Sequence, residues 1–487
     1  MTAAGHVPGK PHVMRASLAC LLTLFAAAGC TRPGPGDARR EAVENGLRPR
    51  VEVAGEPAVR WNVYERMQRY RVPTMTVAVI EHGRIAWSAR YGIDGTVRLP
   101  AGDERFQAAS LSKGVTGSLA AILADRGAVD LDAPVDACLL PLRLPAGKQD
   151  AAHPVTLRAL LHHTAGATVD GFPGYPPGHA VPTPEQVVLG QPPANTPAVV
   201  IAATPGTAYA YSGGGYTLAQ IALAHCAHMP FAELMRREVL DPAGMHASTF
   251  AQPLPPGLPH ATGHASDGRP VPGGANTYPE LAAAGLWTTA EDLARWLVAV
   301  RAAAEGLPSF MPRPAARAML APGPGKYGMG VFVSGDGEHR RFMHSGGNLG
   351  FKSSYVMYLQ SGNGVVVMTD GDNGPYLGGE FTKAVAAAYG WPDYAPRVAG
   401  RAALDEAAME KRLGRYVFDD PDPRGRRNVA LVRDGSRWYL DLPDVGRTPL
   451  VPTSASTFVA PETGEAIAFD ASGSLHVGAR RATPARR

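Results

Sequence analysis

Ser110 and Lys113 stand three residues apart in the run Phe106-Gln107-Ala108-Ala109-Ser110-Leu111-Ser112-Lys113-Gly114-Val115-Thr116-Gly117, which continues as a helical pattern through Leu119, Ile122 and Leu123 to a stop at Gly127. On a helix, positions i and i+3 share a face, with Cβ atoms roughly 5–6 Å apart, so the lysine amine comes within reach of the serine hydroxyl. A serine is a poor nucleophile unless a base beside it takes its proton. Lysine becomes such a base when burial or a neighbouring cation lowers its pKa. A serine in the first helical turn also keeps a backbone N–H that the helix does not use, free to face an oxyanion. Ser-x-x-Lys arises often by chance in 487 residues, so other stretches have to carry the assignment.

Two do. Tyr209-Ala210-Tyr211-Ser212-Gly213-Gly214-Gly215-Tyr216 is a glycine-rich turn at the head of a second helical run, and such a turn lets backbone approach a ligand closely. A tyrosine there could share the proton traffic of Ser110 and Lys113, and a nearby ammonium would favour its phenolate. Phe342-Met343-His344-Ser345-Gly346-Gly347-Asn348 falls between β-rich runs at Tyr327–Val333 and Ser354–Tyr358. A strand edge there presents free N–H groups, and its glycines leave room for an acyl group. Taken singly, a lone Tyr or His is more often structural than catalytic.

In order and spacing, Ser110-Leu111-Ser112-Lys113, Tyr211-Ser212-Gly213 and His344-Ser345-Gly346 resemble the three active-site motifs of the serine β-lactamase and penicillin-binding-protein superfamily. Histidine in the third motif resembles the class C β-lactamase-related hydrolases, which include esterases and D-amino-acid peptidases. Leu160-Leu161-His162-His163-Thr164-Ala165-Gly166, Val239–Met245 and Gly285–Leu293 look like further signatures, and the likeness runs from about Trp61 to Trp391.

The resemblance implies an α+β fold, a mixed sheet flanked by helices with an inserted helical subdomain. Ser110 would be the nucleophile, with Lys113 and Tyr211 relaying its proton. The N–H groups of Ser110 and Gly347 would hold the oxyanion, while His344, Gly346 and Gly213 would line the substrate site. No metal and no organic cofactor are implied, and the partner is a small-molecule or peptide substrate. Two departures bear on specificity. Gly213 stands where many relatives have Asn, and His344 where β-lactamases carry Lys, removing an amide and a permanent cation. Both favour an ester or modified amide over a β-lactam. The alternatives are a true class C-like β-lactamase, or an envelope protein that uses the fold to bind without turnover.

At this length more than one domain is expected. Residues 55–400 read as the hydrolase domain, preceded by a flexible tether at 31–54. Short alternating runs with Asp434-Gly435 between two of them read as a small all-β domain over 405–487, a half-open barrel. Before the tether, residues 1–30 read as an export signal. Its apolar run Leu18–Ala28 is too short to span a bilayer, which takes roughly 20 residues. It ends in Ala27-Ala28-Gly29-Cys30, which resembles a lipoprotein processing box; Met14 is a second candidate start. The expected location is the bacterial cell envelope, on the periplasmic face, anchored by lipid at Cys30. Of the remaining cysteines, Cys138 and Cys226 could form one disulfide or stay two buried thiols. A net charge of +4, scattered without an aromatic-interleaved stripe, excludes nucleic acid as a partner.

Overall fold

The computed structural model describes residues 35–419, 427–442 and 446–485. The signal segment and Cys30 lie outside them. Six strands form most of the main sheet: β1 (Thr74–Glu81), β2 (Arg84–Gly92), β3 (Phe332–Ser334), β4 (Arg341–Asn348), β5 (Phe351–Tyr358) and β6 (Gly364–Thr369). A two-residue strand, Val97–Arg98, lies at one edge, and the spatial order runs from it through β2-β1-β6-β5-β4-β3. All of its pairings are antiparallel, so within the α+β class expected the sheet itself is not mixed. Tight hairpins enforce that direction. β1 and β2 turn on His82 and Gly83, both left-handed at φ 50° and 74°, as a two-residue hairpin requires.

Successive side chains of a strand point to opposite faces, and here both faces are covered. One carries Ala78, Ile80, Phe342, Tyr355, Met357 and Val366 into a core shared with the helices inserted between β2 and β3. The other carries Met75, Val77, Val79, Val356, Val365 and Val367 into a second core. The near-continuous apolar run of β1 follows from this double burial.

The helices that matter below are α1 (Pro35–Glu44), α2 (Val63–Tyr70), α3 (Ser112–Asp125), α4 (Gly213–Cys226), α5 (Leu281–Ala284), α6 (Ala290–Glu305) and α7 (Gly374–Ala388). Every residue of α3 from Ser112 to Leu123 is buried. A helix apolar on all sides belongs inside a protein, and α3 is packed by its neighbours on every side. Cys138 and Cys226 are joined as a disulfide across 88 residues, which resolves the two options in favour of the bond.

The expected tether is corrected. α1 occupies Pro35–Glu44, Val43 and Leu47 are fully buried, and Val51–Val53 pairs in parallel with Arg397–Ala399. The stretch is rich in charge, with Arg39 and Glu41 exposed and Arg40 and Glu44 half-buried, which is why it reads as a linker. The main domain therefore begins at least twenty residues before position 55. The C-terminal strands close completely into an eight-stranded barrel, from Gly414–Phe418 to Arg480–Pro484, rather than stopping half-open. Tyr416, Leu431, Trp438, Leu440, Phe458 and Ile467 fill it. A buried ion pair fastens barrel to body: Arg66 on α2 holds Glu380 on α7 through two hydrogen bonds of 2.7 and 2.8 Å and reaches Glu462 at 3.4 Å.

Candidate active site

Phe106-Gln107 pairs with Trp287-Thr288, and the chain then turns sharply into a single 3-10 turn, Ala109–Leu111, that runs on into α3. Ala109 is buried with φ 50°, a conformation that strains any residue with a side chain. The strain is held by the surroundings. Ser112 Oγ donates to Ala109 O at 2.6 Å and accepts from Leu286 N at 3.1 Å, while Ser353 Oγ donates to Ala108 O at 2.7 Å. Ser110, in the middle of this turn, remains partly exposed.

One helical turn on, Lys113 is 2% exposed. Its Nζ lies 3.0 Å from Ser110 Oγ and 2.8 Å from Ala283 O on α5. Burial pushes the ammonium down to about 7, because a low-dielectric site penalises the charged form. The ring of Tyr211 sits 5.0 Å from the same Nζ.

Burial pushes the Tyr211 phenol up to about 12, against a smaller lowering from the neighbouring Ser110. The phenolate expected beside an ammonium is therefore not favoured: desolvation of the anion outweighs a lysine that is itself poised to lose its charge. Sequence reasoning passed over the residue that fixes Tyr211. His163, second histidine of the Leu160–Gly166 stretch, accepts from Ser212 N at 3.0 Å through Nδ1, and its carbonyl accepts from Ala210 N at 2.8 Å. Its ring lies 4.2 Å from that of Tyr211. Burial holds His163 well below the usual histidine range, so it acts as a neutral acceptor. Only its place within a recognised stretch could have pointed to it.

β4 closes the other side. β3 pairs with it only as far as Met343, which leaves its edge from His344 onward without a strand partner and turned toward Ser110. A Cβ on Gly346 would stand 2.4 Å from Ala108 O and 2.9 Å from Ser110 N. Backbone can approach the nucleophile turn this closely only without a side chain. Gly347, exposed, follows at the same edge. His344 is 5% exposed; its Nδ1 donates to Ser345 O at 2.6 Å, and Nε2 accepts from Tyr327 O–H at 2.9 Å. Burial and the nearby Lys113 push it down to about 3, so the ring is neutral. Its Tyr327 partner was visible in sequence only as part of a β-rich run.

Gly213 opens α4, whose N-cap Ser212 accepts from Gly215 N. A Cβ there would meet the ring of Phe172 at 2.7 Å. The space an asparagine would use is thus filled by an aromatic from the loop before Pro173. Ser110, Lys113, Tyr211, His344 and Gly346 are thus gathered around the nucleophile turn, whereas Gly213 is buried against Phe172.

A family model described as Beta-lactamase matches residues 59–389. No curated protein matches the chain. Among solved structures, an octameric penicillin-binding protein homologue from Pyrococcus abyssi is 20% identical at a TM-score of 0.57, covering 86% of this chain and 98% of that one. SurE is 22% identical at 0.55, covering 92% and 99%. A β-lactamase/D-alanine carboxypeptidase from Yersinia pestis, complexed with citrate, is 21% identical at 0.51, covering 67% and 96%. At these identities the likeness speaks for the fold. The family model spans well over half of the sequence and encloses the whole cleft, and on that ground the chain belongs to the Beta-lactamase family, whose members are mostly serine hydrolases.

Proposed function

We propose that the chain hydrolyses an ester or a D-amino-acid-type amide through an acyl-enzyme on Ser110. The observation that carries this is the contact of Lys113 Nζ with Ser110 Oγ at 3.0 Å inside a site that lowers the lysine pKa to about 7. Neutral Lys113 takes the Ser110 proton as Oγ attacks the substrate carbonyl. Charge building on the carbonyl oxygen is met by the N–H groups of Ser110 and Gly347, which need no reorganisation to receive it. Tyr211, protonated over the working range, passes its proton to the leaving group and is refilled from Lys113. Water then attacks the acyl carbon while neutral Lys113 accepts its proton, directly or with Tyr211 passing it on, and Ser110 Oγ recovers a proton from Lys113 as it leaves. No metal or organic cofactor enters these steps.

Two of the structural neighbours, a D-stereospecific amidohydrolase from Streptomyces and the Yersinia β-lactamase/D-alanine carboxypeptidase, support the amide branch of this reading. We place the protein in the bacterial cell envelope on the periplasmic side, anchored by lipid at Cys30. The Cys138–Cys226 bond supports an oxidising compartment. The test is fluorophosphonate labelling beside p-nitrophenyl butyrate turnover, in wild type and Ser110→Ala. Labelling with turnover, both lost in the variant, is expected. Labelling without turnover identifies an acylated binder, and a variant within about tenfold of wild type removes Ser110 from the mechanism.

A further inference from the structure

A cavity of about 630 Å³ lies between α7 and the sheet face that carries Met343, Val356 and Val367. That volume falls in the usual range of small-molecule sites, about 300–1,000 Å³. Ser110, Lys113 and Tyr211 do not line it, whereas His344, Gly346 and Gly347 on β4 do. Two features of its wall are unexplained by packing.

The first is a pair of adjacent glycines, Gly378 and Gly379, inside the 15-residue helix α7. Each interior glycine costs a helix about 1 kcal/mol relative to alanine. Close packing is the usual reason to retain one, and it does not apply here. A Cβ on Gly378 would meet Val367 Cγ1 at an ordinary 3.5 Å, and one on Gly379 would meet only Arg50 Nη2 at 3.6 Å. What the two glycines accomplish is to keep the hollow open.

The second is charge. Arg50 and Lys383 both line the cavity, and burial first, then the nearby Arg50, pushes the lysine down to about 8. Among the described residues neither forms an ion pair, and Lys383 Nζ makes a hydrogen bond of 3.4 Å to Gly379 O. The nearby Glu380 is already committed to Arg66 and Tyr70. Lys383 is half-buried and Arg50 stands exposed at the mouth, so the wall carries a positive potential that an anion would match.

We propose that this cavity binds an amphiphilic carboxylate, its apolar body against Met343, Val356 and Val367 and its carboxylate facing Lys383 and Arg50. The cavity adjoins the catalytic cleft along the His344–Gly347 strand edge but includes none of Ser110, Lys113 and Tyr211, and its binding does not depend on the proposed reaction. Octanoate is the probe, titrated calorimetrically into the full chain with ester turnover followed on the same samples. Saturable binding is expected. Lys383→Gln and Arg50→Gln each weaken it by about fivefold or more, as loss of one charge-assisted contact does. Gly378→Leu fills the hollow and abolishes binding, with thermal melts reporting that each variant is folded. Ester turnover stays unchanged in all three variants. Absence of binding, or equal affinity in wild type and in the folded Lys383→Gln and Arg50→Gln variants, overturns the proposal.

Discussion

Lys113 Nζ bridges Ser110 Oγ at 3.0 Å and Ala283 O at 2.8 Å, and burial alone brings its pKa to about 7. Protonated lysine cannot accept the serine proton, so activity requires the form that predominates above that pH. kcat/KM for an ester is expected to rise with pH through an apparent pKa near 7 and then level. Lys113→Arg keeps a cation that does not deprotonate in proteins, and it should cost about 10²–10⁴ in rate, the range of one general base. A profile that stays flat from about pH 5 to about pH 9, across the lowered pKa but below the ordinary lysine value, would contradict lysine as the base.

Tyr211, with its phenol held up at about 12, is built to donate a proton rather than to begin as an anion. Tyr211→Phe should therefore hurt most where the leaving group needs that proton. An alkyl ester is expected to lose about 10²–10³ in kcat, while a p-nitrophenyl ester, whose leaving group departs as an anion, loses much less. Equal losses on the two substrates would place Tyr211 in some other step.

Much of this arrangement was legible in the chain, and the limits of that reading have physical causes. Ser110 and Lys113 are neighbours on one helical turn, so their contact follows from local geometry. Tyr211 and His344 come from 101 and 234 residues further on, and only the resemblance gathers them, because spacing along a chain does not encode long-range contact. Ala283 O and His163 act through a backbone oxygen and a ring nitrogen whose partners are set by tertiary packing. α1 read as a linker because its few apolar residues, Val43 among them, are outnumbered by charged ones. Closure of the barrel rests on the pairing of Gly414–Phe418 with Arg480–Pro484, the two ends of its sequence, which alternation within each strand cannot reveal.

The disulfide closes an 88-residue separation between Cys138 and the end of α4. Constraining a loop of that length in the unfolded chain stabilises the fold by about 2–4 kcal/mol. Cys226→Ser, or reduction of the wild type, should lower stability by that amount in a denaturant melt while leaving the fold intact at low temperature. An unchanged midpoint after verified reduction would show that the bond contributes nothing.

Gly213→Asn would restore the side chain that many relatives carry, but its Cβ would meet Phe172 at 2.7 Å. Forcing extra atoms into a packed site costs about 1–3 kcal/mol, so the variant should be destabilised by that amount. Adding Phe172→Ala should recover most of the loss, beyond the sum of the separate changes. Simple additivity in this double-mutant cycle would mean that Phe172 is not what excludes the asparagine.

His344 bears most directly on substrate choice. Its Nδ1–H is bound to Ser345 O, its Nε2 accepts from Tyr327, and burial with the nearby Lys113 pushes its pKa down to about 3. It is neutral across the range where Lys113 is active as a base, so the third motif offers no fixed cation to a β-lactam carboxylate. β-Lactam turnover should trail short-chain ester turnover by at least about 100-fold in kcat/KM, a gap of roughly 2.7 kcal/mol in transition-state stabilisation. His344→Lys should narrow that gap modestly. It should also move the acid limb of ester hydrolysis to lower pH, because a second ammonium in this buried site disfavours the charged form of Lys113. Nitrocefin and p-nitrophenyl butyrate assayed on one preparation make the comparison, and similar specificity constants would identify an efficient β-lactamase in which the neutral His344 suffices.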